Sequence, residues 1–262
     1  MLMDNEIQKL IASRRWYHSF EIAPGIWSPG RARINAGWVL TASGIPQGLE
    51  AKRVIDIGAA DGAYTFEFLR RGASVLAIDV QPPDNTGFGI ANQLAPRPAE
   101  HRTMSVYDLS PAVGTFDIVW FWGVYYHLRE PLLALRAIRS VLKKDGLLYF
   151  GGEIIDGADP NKDPRLAGMR DHFEALRDVP VTYFTHGNAY AGDHSNWFVP
   201  NMACLREWLI ASGFKDIQME TGSAKARVRG TARYDETWQD QEHPLRRRSL
   251  EIDTPEEKSA PL

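Results

Sequence analysis

Three aspartates stand where a nucleoside-binding crevice would need them: Asp56, Asp79 and Asp108. Asp56 lies near the end of a short β-branched run, Arg53-Val54-Ile55-Asp56-Ile57, and the chain continues Gly58-Ala59-Ala60-Asp61-Gly62. Small residues after a strand let the backbone turn sharply and approach a ligand closely. The helix that follows points the positive end of its dipole at that ligand. A dinucleotide loop reads G-x-G-x-x-G/A, but here Ala60 takes the second glycine position and crowds a pyrophosphate. Asp56 would repel a pyrophosphate, yet it can accept hydrogen bonds from an ammonium group. Asp79, 23 residues after Asp56, suits the two hydroxyls of a ribose. Asp108 follows a third expected strand, His101 to Val106, and suits an adenine amino group. S-adenosylmethionine (SAM) has an ammonium, a sulfonium and no phosphate, so the charge pattern favours it over NAD. Any one of these aspartates could simply satisfy the N–H groups of its own turn; their joint placement favours the ligand.

The elements that must position them follow from pattern. Residues 53–57, 74–79, 101–106, 116–122 and 147–150 read as strands, and 62–71, 88–95 and 131–146 as helices between them. Pro131 suits a first helical turn, and Leu132, Leu135, Ile138, Val141 and Leu142 make its apolar face. Strand and helix alternating at this spacing predict parallel βαβ units. Before them, residues 4–13 read as a short helix. Residues 14–50, with Trp16, Tyr17, Phe20, Trp27 and Trp38, read as a mostly irregular aromatic segment with a helix near 31–43. Residues 156–200 break the rhythm, a helix over 201–212 resumes it, and 214–220 with 226–234 suit an antiparallel pair.

Composition narrows the class. A net charge of −3 offers no global attraction to a polyanion. The single cysteine, Cys204, cannot form an intrachain disulfide and sits in an apolar run, so a reducing, cytoplasmic setting and a role as core filler are expected. No stretch approaches the ~20 apolar residues of a membrane span, and the N-terminus shows no apolar signal core. No spacing suggests a metal site.

These residues resemble the class I SAM-dependent methyltransferases. The loop from Asp56 to Gly62 looks like their D-x-G-x-G-x-G motif with Ala60 for the middle glycine. A narrower resemblance, to the tRNA wobble-uridine carboxymethyltransferase family and its small-molecule methyltransferase relatives, rests on three segments. They are Trp120-Phe121-Trp122-Gly123-Val124-Tyr125-Tyr126-His127-Leu128-Arg129-Glu130-Pro131, the stretch Asn196-Trp197-Phe198-Val199-Pro200-Asn201 with Trp208 and Gly213-Phe214, and Trp16-Tyr17-His18-Ser19-Phe20. The resemblance implies a Rossmann-like α/β fold with a mostly parallel seven-stranded sheet and helices on both faces. With the patterns above, it suggests an N-terminal helical and aromatic cap over 1–50, a methyltransferase domain over 51–235 with residues 156–200 as a substrate lid, and, from its charge and lack of periodicity, a flexible tail over 236–262. The implied cofactor contacts are Asp56, Gly58, Ala60, Asp61, Gly62, Asp79, Val80, Tyr107, Asp108, Leu109 and Trp122. The tRNA enzyme holds the extra carboxylate of its carboxylated donor partly with a lysine. Here the counterpart is His18, largely neutral at pH 7 unless paired. Transfer of an ordinary methyl group to an oxygen or nitrogen of a small molecule is therefore expected, with the tRNA reaction as the alternative.

The acceptor side carries candidates of its own. His127, just past the fourth strand, could remove the proton of a hydroxyl acceptor, or it could brace the next helix. Alternation out of the strand suggests that one of Tyr125 and Tyr126 is core and the other, Tyr126, site wall. In the insertion, His186, Tyr190, His194 and Trp197 offer aromatic surface and polar groups for the acceptor, and His186 or His194 is a second candidate base. Arg31 and Arg33 could bind an acidic acceptor, although solvated arginines are commoner. Arg246–Arg248 read as a solvated tail. The aromatic residues of 14–50 could cover the site or form a contact between two copies. An NAD-dependent oxidoreductase and a non-catalytic SAM-binding protein are the competing classes.

Overall fold

The structure, a computed structural model, describes residues 4–185, 187, 190–222 and 227–239. His186 and Arg246–Arg248 lie outside the described residues. The chain opens with helix α1 (Asp4–Ala12) and four short strands, β1 (His18–Ser19), β2 (Glu21–Ala23), β3 (Ile26–Trp27) and β4 (Ala32–Arg33), before helix α2 (Ala36–Ala42). The segment expected to be mostly irregular is thus paired: β1 with β4 in parallel, β2 with β3 antiparallel. The helix expected near 31–43 starts only at Ala36, because the Asn35 side chain accepts from Trp38 N at 2.9 Å and caps it there.

The βαβ core follows as β5 (Arg53–Ile57), α3 (Ala63–Arg70), β6 (Ser74–Asp79), α4 (Phe88–Leu94), β7 (Glu100–Thr103), β8 (Phe116–Trp122), α5 (Pro131–Val141) and β9 (Leu142–Glu153). The insertion contains α6 (Arg170–Ala175), β10 (Thr182–Phe184) and β11 (Phe198–Pro200). Helix α7 (Met202–Ala211) and strands β12 (Phe214–Thr221) and β13 (Arg227–Tyr234) close the described chain. The main sheet has seven strands in the order β12-β13-β9-β8-β5-β6-β7. Strands β5 to β9 pair in parallel, while β13 runs antiparallel to β9 and to β12.

Two boundaries depart from the sequence pattern. Helix α5 ends at Val141 rather than near Gly146, and residues 142–146 enter the sheet. Leu142 pairs with Phe116, the register slips before Ile118, and Lys143 Nζ reaches Asp117 Oδ2 at 2.9 Å. An ion pair and a bulge thus take over residues that could have extended the helix. Strand β7 ends at Thr103, because Ser105 and Asp108 form a reciprocal cap around a 3₁₀ turn over Val106–Asp108.

Two apolar cores cover the sheet. One holds Ile57, Val119, Phe121 and Phe150 against Leu135 and Ile138 of α5 and Leu209 of α7. The other holds Val54, Trp120 and Tyr149 against Phe66 and Phe68 of α3 and Trp16, Phe20 and Leu40 of the N-terminal segment. The sheet is therefore buried on both faces, so its carboxyl edge is where polar strand-end residues can meet a ligand. The insertion has a small core of its own, Ile155, Ala158, Leu166, Tyr190 and Val199. Among the described residues no helix is long and apolar enough to cross a membrane.

Candidate active site

The crevice begins at the β5–α3 turn. Gly58 N and Ala59 N both donate to Ile78 O, at 2.8 and 3.1 Å, which ties the turn to β6. Gly58 has φ +75°, and a Cβ there would stand 2.5 Å from Val124 Cγ2. Ala60 also has a left-handed backbone, φ 49°, the conformation the family's glycine adopts at little cost. Gly62, at φ +87°, caps α3, and a Cβ on it would run into the Phe66 ring.

Asp56 is 2% exposed and accepts from Thr65 Oγ1 at 2.5 Å. Burial, and then the charge of Asp79, push its carboxyl up to about 7, with Thr65 opposing. Asp79 accepts from Ala60 N and from Gln81 N, both at 2.9 Å. Asp61, 2% exposed, accepts from Tyr17 N and His18 N at 2.7 Å and from Gly87 N at 3.0 Å. Both of its oxygens thus accept from backbone N–H groups, and they clasp the N-terminal segment and the start of α4 to the loop. His18 Nδ1 lies 3.9 Å from Asp61, and burial holds that imidazole below its ordinary pKa despite the carboxylate.

The remaining cofactor candidates divide by position. Val80 is 68% exposed beside Asp79. Asp108 is exposed, with one oxygen accepting from Ser105 N at 3.0 Å. Tyr107 offers its phenol oxygen to Glu130 N at 3.1 Å, whereas Leu109 is buried in the α5-side core. Trp122 stacks on Trp120 with ring centres 4.6 Å apart and rests on Gly151.

The candidates for the acceptor side lie past β8. Residues Tyr125–His127 form a 3₁₀ turn. Tyr125 is buried and donates to Glu153 O at 2.7 Å, so it is the core member of the tyrosine pair. Tyr126 is partly buried, and its carbonyl accepts from Trp197 N at 2.8 Å, which joins the insertion to the turn. His127 does not cap α5, whose N-cap position is Glu130 with no side-chain cap. Its Nδ1 instead meets Ser195 Oγ at 3.0 Å, and that hydroxyl donates to Asp193 Oδ1 at 2.6 Å. Burial lowers the His127 pKa, with Asp193 opposing, so the imidazole is neutral at pH 7. Trp197 stacks under the Arg129 guanidinium at 4.3 Å. His194 is exposed, while Tyr190, 1% exposed, belongs to the insertion's own core and is no open wall.

Sequence reasoning missed several groups here. Glu153 ends β9 at 5% exposure, bonded to Arg227 Nε at 2.8 Å and 3.6 Å from Lys162 Nζ, and its Oε2 is buried without a partner. The Tyr64 phenol is raised by burial first and then by Asp56, with Arg227 opposing, so it stands within electrostatic reach of both halves. An acid closing an apolar strand was a readable signal for Glu153, the same one that marks Asp56 and Asp79. Ser195 and Asp193 could be read only as a turn. Among the described residues no three His, Cys, Asp or Glu side chains are grouped to hold a metal. A cavity of about 880 Å³ lies elsewhere, between β2–β3 and the middle of α3, where Phe20, Ile22, Trp27 and Phe66 line it. Of the candidate groups it contains Arg33 alone, and none of those at the strand tips, so volume does not mark the chemistry there.

Residues 30–218 match the methyltransferase domain family. A tRNA U34 carboxymethyltransferase of Pseudomonas putida is 30% identical over 172 residues, 65% of this chain and 48% of the relative. The chain thus spans about half the length of the curated relatives it matches. The 1,6-didemethyltoxoflavin-N1-methyltransferase of Burkholderia thailandensis, crystallised with its substrate and S-adenosylhomocysteine, superposes with TM-score 0.52 at 20% identity, over 77% of this chain and 76% of that one. The N-terminal domain of EvdMO1, crystallised with S-adenosylhomocysteine and D-fucose, superposes with TM-score 0.61 at 21% identity, over 89% and 98%. The sheet order, the glycine turn and the acidic strand tips agree with these matches: the chain belongs to the methyltransferase domain family, on the fold of the class I SAM-dependent enzymes.

Proposed function

We propose that the crevice binds SAM and that the protein transfers its methyl group to an oxygen or nitrogen of a small-molecule acceptor, with His127 as the base. The observation that carries the donor half is the buried Asp56 carboxyl beside a tight turn that ends on the α3 N-terminus. Asp56 takes the ammonium, Asp79 the ribose hydroxyls and Asp108 the adenine amino group, while Gly58 and Ala60 let the backbone close on the nucleoside. Bound SAM supplies a methyl carbon made electrophilic by its sulfonium. The acceptor's lone pair forms the new bond to that carbon, the carbon–sulfur bond breaks with its electrons going to sulfur, and His127 takes the acceptor's proton. Holding acceptor and donor in line supplies much of the rate, and a positioned base adds about 10²–10⁴-fold.

The insertion supports the small-molecule reading. It is bonded to the turn after β8 from Trp197 N to Tyr126 O, which supports reading it as a lid. The tRNA reading draws on the curated relatives, tRNA U34 carboxymethyltransferases at about 30% identity. Mass spectrometry of nucleoside retained by the purified protein tests the donor. SAM or S-adenosylhomocysteine is expected; a carboxylated donor would favour the tRNA reaction, and NAD would end the methyltransferase reading. Filter binding with bulk tRNA tests the acceptor, since specific capture that weakens steeply with salt would overturn the small-molecule assignment.

A further inference from the structure

The hydrogen bonds around His127 determine more than its location. Asp193 accepts two of them on Oδ1, from Ser195 N at 2.8 Å and from Ser195 Oγ at 2.6 Å. Its carboxyl is held below the ordinary range: burial raises it, but the two Ser195 bonds and the nearby His127 and His194 outweigh that. An ionised carboxylate only accepts, so the single hydroxyl proton of Ser195 is committed to Asp193. The Ser195 oxygen can then only accept from the His127 Nδ1 it meets at 3.0 Å, and Nδ1 must carry the imidazole proton. A neutral imidazole has one N–H, so the lone pair is left on Nε2. Among the described residues Nε2 makes no hydrogen bond, and it is not among the fully buried unpartnered atoms.

We propose that Asp193, acting through the Ser195 hydroxyl, is a positioning residue that locks His127 as its Nδ1–H tautomer and presents Nε2 as the proton-accepting atom. The proposal rests on the reading of His127 as the base, and it adds the residues that make that histidine competent. When Nε2 takes the acceptor's proton, the imidazolium keeps its Nδ1–H bond to Ser195, and the Asp193 charge two bonds away balances it. The groups facing His127 are the Tyr126 ring at 4.3 Å, the Asp193 carboxylate and the Ser195 backbone from the insertion and, at longer range, the Glu153 carboxylate at the end of β9. Asp193 alone is linked to it by a hydrogen-bonded bridge. The bridge crosses 68 residues of chain, from the turn after β8 to the insertion, so the base is assembled only when the insertion is folded down.

The test needs no acceptor. Long-range proton–nitrogen NMR of the full chain labelled on histidine nitrogens reads the tautomer directly, with His127→Gln assigning the signal. Wild-type protein is expected to show a neutral Nδ1–H ring. Ser195→Ala and Asp193→Asn are expected to lose that preference and to lower the His127 pKa by up to about one unit, the scale of a nearby charge. Ser195→Thr, which keeps the hydroxyl, is expected to restore both. Ser195 is exposed, and thermal melting of each variant confirms folding. An Nε2–H ring in the wild type, or Ser195→Ala and Asp193→Asn spectra identical to it, would overturn the relay. A purely structural turn would leave the tautomer unmoved, so it falls in the second outcome. If the tautomer responds while His127→Gln keeps full turnover, the relay stands and the base assignment falls.

Discussion

The two sides of the crevice are built by different means. The donor side is made of strand ends: Asp56 and Asp79 sit in β5 and β6, and the β5–α3 turn is bonded to the neighbouring strand through Ile78 O. Its polar groups are fixed by backbone that the parallel sheet already holds rigid. The acceptor side is made of a 3₁₀ turn and an insertion whose contacts span tens of residues, His127 to Ser195 and Tyr126 to Trp197. Under the proposed function, a rigid half recognises a constant cofactor and an appended half selects the acceptor, and changing one leaves the bonds of the other in place. Asp61 is the exception. It lies in the donor loop, yet its bonds go to Tyr17, His18 and Gly87, so it also anchors the N-terminal cap.

The sharpest way to break this division is at His127. His127→Gln is expected to lower turnover by about 10²–10⁴-fold, or roughly 3–5 kcal/mol of barrier, while calorimetry shows SAM affinity unchanged within about twofold. A matching loss of SAM affinity would mean that the halves are not separable.

Next in size is Asp56. Its folded pKa, about 7, lies above the ordinary 3.8, so the neutral acid stabilises the fold below pH 3.8 and that contribution fades as the pH rises through about 7. Asp56→Asn cannot ionise and escapes the loss. Between pH 4 and 8 it is expected to gain up to about 4 kcal/mol relative to the wild type in urea unfolding. An ammonium beside Asp56 reverses the preference. SAM binding is therefore expected to release a proton and to be tighter at pH 7.5 than at pH 6, as calorimetry in buffers of different ionisation enthalpy would show. No proton release would place the ammonium elsewhere.

Asp79→Asn removes the charge proposed to receive both ribose hydroxyls. About tenfold to a hundredfold weaker SAM binding is expected, the worth of hydrogen bonds to a charged group, with turnover at saturating SAM nearly preserved. The smallest effect belongs to Ala60. Replacing it by glycine relieves a left-handed alanine and is expected to raise stability by about 1 kcal/mol in thermal unfolding, with SAM affinity unchanged. A loss of affinity would show that the Ala60 methyl touches the cofactor.

Residue pattern was enough for the donor side because every signal there is local. The β-branched run, the glycines and the acid at the strand end are contiguous, so Asp56, Gly58 and Gly62 could be placed without knowing any distant contact. The same rule would have found Glu153, an acid at the end of an apolar strand. It misjudged the N-terminal segment and the start of β9, where the outcome depends on partners far along the chain: β1 bonds to β4, and Lys143 to Asp117.

Read alone, the amino-acid order established the parallel sheet, its glycine turn and the family likeness, since hydrophobic period and turn chemistry act over a few residues. The tertiary structure alone decided which polar groups meet. It bonded Asp61 to backbone N–H groups, buried Tyr190 in the insertion's own core, and bridged His127 to Asp193 through Ser195. The physical reason is range: a hydrogen bond acts over about 3 Å, and only the folded chain brings residues 68 positions apart to that distance.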